Sequence, residues 1–420
     1  MTRSFFKPLA LAVFSAATLF FSCSHTSKPE PEQDDFPARL PGSEGIPIMA
    51  WHGVDRKYMS ADRFKEAAGL GVTLNYSRTL SLNESLMMLD CAKAAGIKCF
   101  IEIGNDRYGP KRRAEVVAEL KNHPALAGYF CMDEPLPEQF GEVAQVMKEV
   151  QAVDKDHPCY CNLLPSFYAD WTAARYEDYV ETYLSTVPVG FLSFDQYPVV
   201  TDGSGYVLQP SWYRTLEITS RKAREHSVPL WAFMLTVEHD AYPKPTLGHL
   251  RLQGYSNLAY GAQVLQLFTY WSPSADSPAY KDAPIKGDGT KSGVYDVVKE
   301  YLAEVQRLAY LFHGASVEYV RHLAGEGSVP EGTTPLKTVP EGMESVRLIE
   351  KGNLLVSVLS NHGYKFMILQ NTSPSRELGL EIKMKPFTRR VLKDGTITAV
   401  SSEKETLFLS AGDVLIYMWK

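Results

Sequence analysis

Four carboxylates in this 420-residue chain stand where an apolar run gives out. Asp133 and Glu134 close the first half of GYFCMDEPLPEQF, Asp195 follows FLSF, and Glu238 lies three residues past Leu235 in AFMLTVEHD. A carboxyl group at the edge of an apolar run holds its proton more tightly than one in water, which suits it to proton transfer near neutral pH. Glu134 is the strongest candidate acid, because the adjacent charge of Asp133 raises its proton affinity further. Each acid also has a plainer reading. Asp133 and Glu134 precede Pro135 and Pro137 and would suit the open N–H groups of a helix start. Asp195 is a natural turn residue before Pro198, and Glu238 a solvated loop acid.

The segments around these acids decide between the readings. From Ile46 onward the strand candidates are IPIMAW, VTLNY, IKCFIEI, LAGYFCM, PCYCNLL, VGFLSFDQY, VPLWAFMLT and AQVLQLFTYW. Helix-like stretches such as SLNESLMMLDCAKAAG, GEVAQVMKEVQAV and GHLRLQGYSNLAYG separate several of them. Near-continuous apolar strands with room for a helix between them are parallel strands buried on both faces. Eight of these close into a (β/α)8 barrel, an α/β fold of about 250 residues. An open doubly wound sheet is the alternative, but no glycine-rich nucleotide fingerprint follows the first strand.

In such a barrel the chemistry gathers where strands end. Those ends carry Trp51 and His52, Asn75 and Arg78, Glu102 and Asn105, Asp133 and Glu134, Asn162, Asp195 and Tyr197, Glu238 and His239, and Trp271. One polar strand end is a helix cap; eight on one rim line a pocket. After VYDVVKEYLAEVQRLAYLFHG, a last barrel helix, the texture turns to short alternating segments punctuated by Asn, Gly and Ser. A small antiparallel β-sandwich is expected there. The expected division is a signal over residues 1–22, a tether over 23–45, the barrel over 46–314 and the sandwich over 315–420.

With Glu134 after strand 4 and Glu238 after strand 7, the arrangement resembles the clan A glycoside hydrolases. The segments DEP, FDQYP and PTLGHLRLQGYSNLAYGAQVLQLFTYW look more closely like those of glycosidase-like barrel lipoproteins of polysaccharide-degrading bacteria. The resemblance spans roughly Ile46 to Gly314. It implies hydrolysis of an oligo- or polysaccharide by two carboxyl groups without a cofactor. One protonates the leaving oxygen, and the other attacks the anomeric carbon or activates water. Glu134 would be the acid/base, Glu238 the nucleophile and Asp195 the reserve. A retaining course is expected, with carboxyls about 5 Å apart; a separation of about 6.5–9.5 Å would mean inversion. Trp271 would form an aromatic floor, and Trp51, His52, Asn75, Arg78, Asp133, Asn162 and Tyr197 would contact sugar. The chain departs from the clan at Asp133, where an Asn is usual; an ionised Asp accepts hydrogen bonds but donates none. If no second carboxylate faces Glu134, a non-catalytic glycan-binding protein is the better reading.

The N-terminus is a targeting segment. MTRSFFKPLALAVFSAATLFFSC has a basic start, an apolar run too short for a comfortable membrane span, and small residues before Cys23. It resembles a bacterial lipoprotein signal, which implies export, a lipid on Cys23 and anchoring to the cell envelope. The proline-rich polar stretch that follows reads as a flexible tether. The remaining five cysteines read as buried thiols, with one disulfide possible. A net charge of −6 and the absence of a dense basic tract argue against nucleic acid as a partner. His52 and His239 are isolated, so no metal site is expected, and no Gly-x-Ser-x-Gly elbow supports esterase chemistry.

Overall fold

The computed structural model describes residues 36–168, 171–273 and 279–420. Its centre is a closed barrel of eight parallel strands: β1 (Ile48–Trp51), β2 (Leu74–Tyr76), β3 (Lys98–Glu102), β4 (Leu126–Asp133), β5 (Cys159–Leu163), β6 (Leu192–Phe194), β7 (Leu230–Leu235) and β8 (Ala262–Phe268). These are the eight segments expected from the sequence, in the expected order. Helices α1 (Ala61–Leu70), α2 (Leu82–Lys93), α3 (Pro110–Leu120), α4 (Phe140–Gln151), α5 (Ala173–Thr186), α6 (Trp212–Glu225), α7 (Leu247–Ala259) and α8 (Gly293–Arg307) alternate with the strands. Side-chain oxygens start several of them: Ser60, Ser81, Thr172, Thr246 and Ser292 each accept from a backbone N–H in the first turn of α1, α2, α5, α7 and α8. Such caps stabilise a helix by about 1 kcal/mol each.

The barrel lumen is filled with rings. Trp51, Tyr76, Phe100, Phe130, Tyr160 and Phe233 form one cluster, with Trp51 edge-on to Phe130, Tyr160 and Phe233 at centroid distances of 5.0, 5.7 and 5.4 Å. Edge-to-face contacts of this kind add about 0.5–1.5 kcal/mol beyond the area they bury. Glycine makes room for the cluster at one point. A Cβ on Gly128 would lie 2.6 Å from the Phe100 ring. The rings close the lumen, so a ligand can enter only from an end.

Beyond α8 and a short helical turn at Ala309–Phe312, two antiparallel sheets face each other. The larger has six strands, in the order Ser316–Ala324, Asn353–Asn361, Tyr364–Asn371, Val414–Trp419, Arg389–Val391 and Ile397–Ala399. The smaller holds Met343–Leu348, Leu378–Met384 and Glu405–Leu409. Inward residues of both, including Val356, Met367, Leu369, Leu380, Ile382 and Tyr417, share one apolar core, which makes this a β-sandwich.

Residues Ala38–Lys420 form a single compact unit. The six-stranded sheet meets the barrel at α7, where Ser256 donates to Gln370 (2.8 Å) and Ser357 donates to the carbonyl of Ala259 (2.7 Å). The residues read as the end of a tether are also engaged. The N–H of Ile397 donates to the Ala38 carbonyl, and that of Leu40 to the Gly395 carbonyl. Pairing with the exposed end of the six-stranded sheet satisfies backbone groups that would otherwise face water unpaired. Among the described cysteines all five are free thiols, four of them buried in barrel strands.

Candidate active site

Register brings the central polar groups together. Asp133 on β4 lies beside Asn162 on β5, and Asn162 lies beside Ser193 on β6. Asp195 follows β6 immediately. Beyond Asp133 the chain turns sharply: Glu134 has φ +45°, a conformation costly for a side chain other than glycine. Its N–H is held by the Asn162 carbonyl at 2.8 Å, and the next carbonyl, that of Pro135, accepts from the Tyr179 hydroxyl at 2.8 Å. Tyr179 also accepts from the N–H of Leu164, so one buried ring of α5 ties the ends of β4 and β5 together.

A directional chain of hydrogen bonds runs through the lumen to this point. Tyr160 donates to Gln266 (2.6 Å), Gln266 to Ser193 (2.9 Å), Ser193 to Asn162 (2.8 Å), and Asn162 to Asp195 (2.8 Å). The chain fixes which way the Asn162 amide faces, since its oxygen is already occupied by Ser193. Its N–H side faces Asp195, and Asn162 also pulls the proton affinity of Asp133 down. Asp195 and Glu134 lie close enough for each to shift the other's proton affinity. Charging one of two such neighbouring carboxyls disfavours charging the other.

The proton affinities follow from this crowding. Water reaches Asp133 and Glu134, yet protein surrounds them closely enough to disfavour charge. Desolvation, then the charge of Glu134, pushes Asp133 up to about 7, against the pull of Asn162. Desolvation also raises Glu134, while the neighbouring Asp195 lowers it. Asp195 is raised well above the carboxylate range, by desolvation first and the Glu134 and Asp133 charges next.

These acids open into a 450 Å³ hollow lined by Trp51, Phe167, Tyr168, Tyr197, Phe233, His239, Tyr242 and Phe268 beside Asn162 and the three carboxyls. Tyr197 stacks on Phe268 at 5.8 Å and meets Tyr242 edge-on at 5.6 Å. A second hollow of 350 Å³ shares Trp51 and Asp133 with the first and adds His52, Tyr76, Arg78 and Glu102. Arg78 pairs there with Glu102 at 3.4 Å. A third, of 210 Å³, continues past His52 and Arg78 to Trp271. The mouth is thus a groove, aromatic over β5–β8 and charged over β1–β3.

Of the residues expected at a site, Trp51, Asp133, Glu134, Asn162, Asp195 and Tyr197 meet in the aromatic hollow, and His52 and Arg78 line the charged end. Three do not. Asn75 is fully buried and structural: it accepts from the N–H of Val54 (3.1 Å) and donates to Ser77 (3.2 Å). It fills the place of a missing side chain, since a Cβ on Gly53 would lie 1.8 Å from its oxygen. Trp271 is no floor for the carboxyls. Strand β8 ends at Phe268, and Trp271, 2% exposed, packs on Tyr58 and Arg63 at the far end of the groove.

Glu238 also lies off the hollow. It sits in a two-residue strand with His239 that pairs with Tyr280–Lys281, and its carboxylate is 3.6 Å from the Lys281 ammonium. Alternation along that strand turns His239 into the hollow and Glu238 out. Removing it by Glu238→Ala breaks only a half-exposed ion pair, worth about 0–1 kcal/mol. Activity should stay within about twofold of the parent on any substrate the protein turns over, by the same reckoning. A kinetic comparison of the two proteins checks this.

Several site residues were not anticipated. Gln266 carried a signal, being a polar residue at an inward position of AQVLQLF, but a buried Gln serves structure as often as chemistry. Phe233 and Phe268 are indistinguishable in sequence from core residues. Phe167 and Tyr168 are exposed rings on the loop after β5, and no pattern in SFY marks them. His239 is 9% exposed, and its Nδ1 has no partner among the described residues although the ring lines the hollow.

No family model matches the chain, and no curated protein does. Solved structures do resemble its fold. A β-galactosidase from Bacillus circulans sp. alkalophilus aligns over 90% of this chain and 99% of its own, with TM-score 0.58 and 10% identity. A catalytic mutant of a GH42 β-galactosidase from G. stearothermophilus aligns over 91% of this chain and 100% of its own, with TM-score 0.57 and 8% identity. A cycloisomaltooligosaccharide glucanotransferase from Paenibacillus sp. aligns over 89% and 85%, with TM-score 0.52 and 8% identity. The fold of this chain is the barrel-and-sandwich fold of glycoside hydrolases, and at these identities the likeness is one of fold alone.

Proposed function

We propose that this chain is an O-glycosyl hydrolase in which Glu134 is the general acid and Asp195 holds and tunes its proton. The observation that carries the reading is the meeting of Glu134 and Asp195, each shifting the other's proton affinity, in an aromatic hollow at the strand ends of a barrel. Cleavage of a glycosidic bond needs a proton on the leaving oxygen, and a carboxyl that stays protonated near neutral pH supplies it. The rings of Trp51, Tyr197, Tyr242 and Phe268 offer apolar faces to a sugar, and the hollow is large enough for one or two residues of it. Screening the purified protein against plant and host glycans, with reducing ends as the readout, tests the reading. It fails if no glycan yields new reducing ends.

A second reading is supported by one observation. Glu238 faces away, so none of the carboxylates among the described residues stands across the hollow from Glu134. A glycan-binding protein that does no chemistry would look the same. Calorimetric binding to a glycan that is never cleaved would select it.

The barrel works outside the cytoplasm in this proposal, on a lipid at Cys23, which lies outside the described residues. Changing Cys23→Ala should move the protein from the membrane pellet to the soluble fraction and leave its thermal transition unchanged. Continued sedimentation with membranes would exclude the lipid.

A further inference from the structure

The mouth of the barrel extends beyond its aromatic hollow. The 350 Å³ hollow beside it shares Trp51 and Asp133 with the first, so a ligand that crosses these two residues occupies both. One ion pair dominates the second hollow. Arg78, from the loop after β2, and Glu102, the last residue of β3, approach to 3.4 Å between Nε and Oε2. The Arg78 side chain is 66% exposed and lines both the second and the third hollow, whereas that of Glu102 is 14% exposed. Their contact is one of charge, since this Glu102 oxygen has no hydrogen-bond partner among the described residues. A carboxylate kept from water without donors is costly to bury, and a ligand that brings donors to it lowers that cost.

The chemistry of the pair decides what fits. A guanidinium only donates and a carboxylate only accepts, while every sugar hydroxyl does both. Two adjacent hydroxyls of one ring can therefore accept from Arg78 and donate to Glu102 together. Ions fit less well. Arg78 and Glu102 offset each other, Asp106 and Asp133 line the same hollow, and burial disfavours a charge on His52 beside them. A uronate or sulfate there would meet like charge, and an ammonium sugar would meet the exposed Arg78 guanidinium at the rim.

We propose that the charged half of the groove is a second sugar subsite, where Arg78 and Glu102 grip adjacent hydroxyls of an uncharged sugar joined to the one in the aromatic hollow. This deepens the glycosidase reading and rests on its placing of a sugar among the rings. The substrate is then a neutral glycan of at least two units, lying across Trp51 and Asp133. The bond between those units passes the junction of the hollows, where Asp133 lines both and its neighbour Glu134 lines the first. Selection by length follows, because a single sugar fills one hollow and leaves the other to water.

The test is calorimetric binding to the Glu134→Gln protein, which spares the probes from cleavage. Ladders of one to four units from cello-, xylo-, manno-, malto- and galacto-oligosaccharides are compared with oligogalacturonides and chitosan oligomers. A neutral ladder should bind, its disaccharide ~10-fold or more tighter than its monosaccharide, the scale of the added hydrogen bonds to charged groups. Arg78→Ala and Glu102→Gln, each made in the same background, should weaken the disaccharide ~10-fold or more and leave the thermal transition unchanged. Tighter binding of a charged ladder than of every neutral one overturns the inference and leaves a sugar in the aromatic hollow. So does a disaccharide no tighter than its monosaccharide, or undiminished binding by either variant. A variant that binds weakly and also melts earlier would show the pair to be a brace of the strand ends, which overturns it too. No binding by any probe removes the glycosidase reading and the inference with it.

Discussion

Glu134→Gln should lower hydrolysis of natural glycosides by ~10² or more, the usual scale for a lost general acid. Gln keeps the length of the side chain and its hydrogen-bonding shape, so the φ +45° turn and the bond from Glu134 N–H to Asn162 are undisturbed. What disappears is the proton. The loss should depend on the leaving group. An alcohol leaves badly without protonation, whereas a dinitrophenolate needs no proton and should depart from the variant nearly as fast as from the parent. The parent rate should also fall as pH rises through the proton affinity of Glu134, a limb the variant should lack. A uniform loss on both leaving groups would instead mean that Glu134 supports the fold of the site, and no loss on either would remove it from the chemistry.

Much of this site was legible because barrel strands announce themselves. Each of the eight apolar runs became a strand, and the polar residue at the end of a run became a residue at the mouth of the barrel. Asp133, Glu134, Asn162 and Asp195 were found in this way, from a change of texture at a strand end. A strand end stops being readable where the chain continues past the last ladder bond. Glu238 lies three residues beyond Leu235, and a short extra strand, Glu238–His239, decides which of the two faces inward. A shift of one residue reverses every side chain on such a strand. The same blindness affects Trp271, which follows β8 by three residues and turns away from the hollow. Asn75 shows a different limit. A polar residue at a strand end can satisfy a neighbouring loop, here the N–H of Val54, and only its hydrogen bonds distinguish that from a sugar contact. The lumen chain from Tyr160 to Asn162 joins four residues of three strands, and no spacing within one segment encodes it.

That chain ends on Asp195, where the second large effect is expected. Asp195→Asn should cut turnover ~10²-fold or more, as much as losing the acid itself, although the residue gives no proton to the substrate. The amide still offers a donor to the Glu134 carboxylate, as Asp195 does in the parent, but it cannot hand a proton back. The alkaline limb of the rate profile should therefore keep its place while the plateau falls. Stability should change in the opposite sense. In the parent, Asp133 is held up to about 7 and Asp195 well above the carboxylate range. A carboxyl whose folded pKa is raised stabilises the fold fully below its unfolded value, near 4, and that contribution is lost as pH rises through the folded value. The parent should therefore lose thermal stability between pH 5 and pH 8, and the variant, with one fewer charge to crowd, should lose less. Turnover and melting temperature measured at both pH values test the two claims together. A variant that is slow and also less stable at pH 8 would show that Asp195 is needed to hold the strand ends in place, and its role in tuning Glu134 would fall.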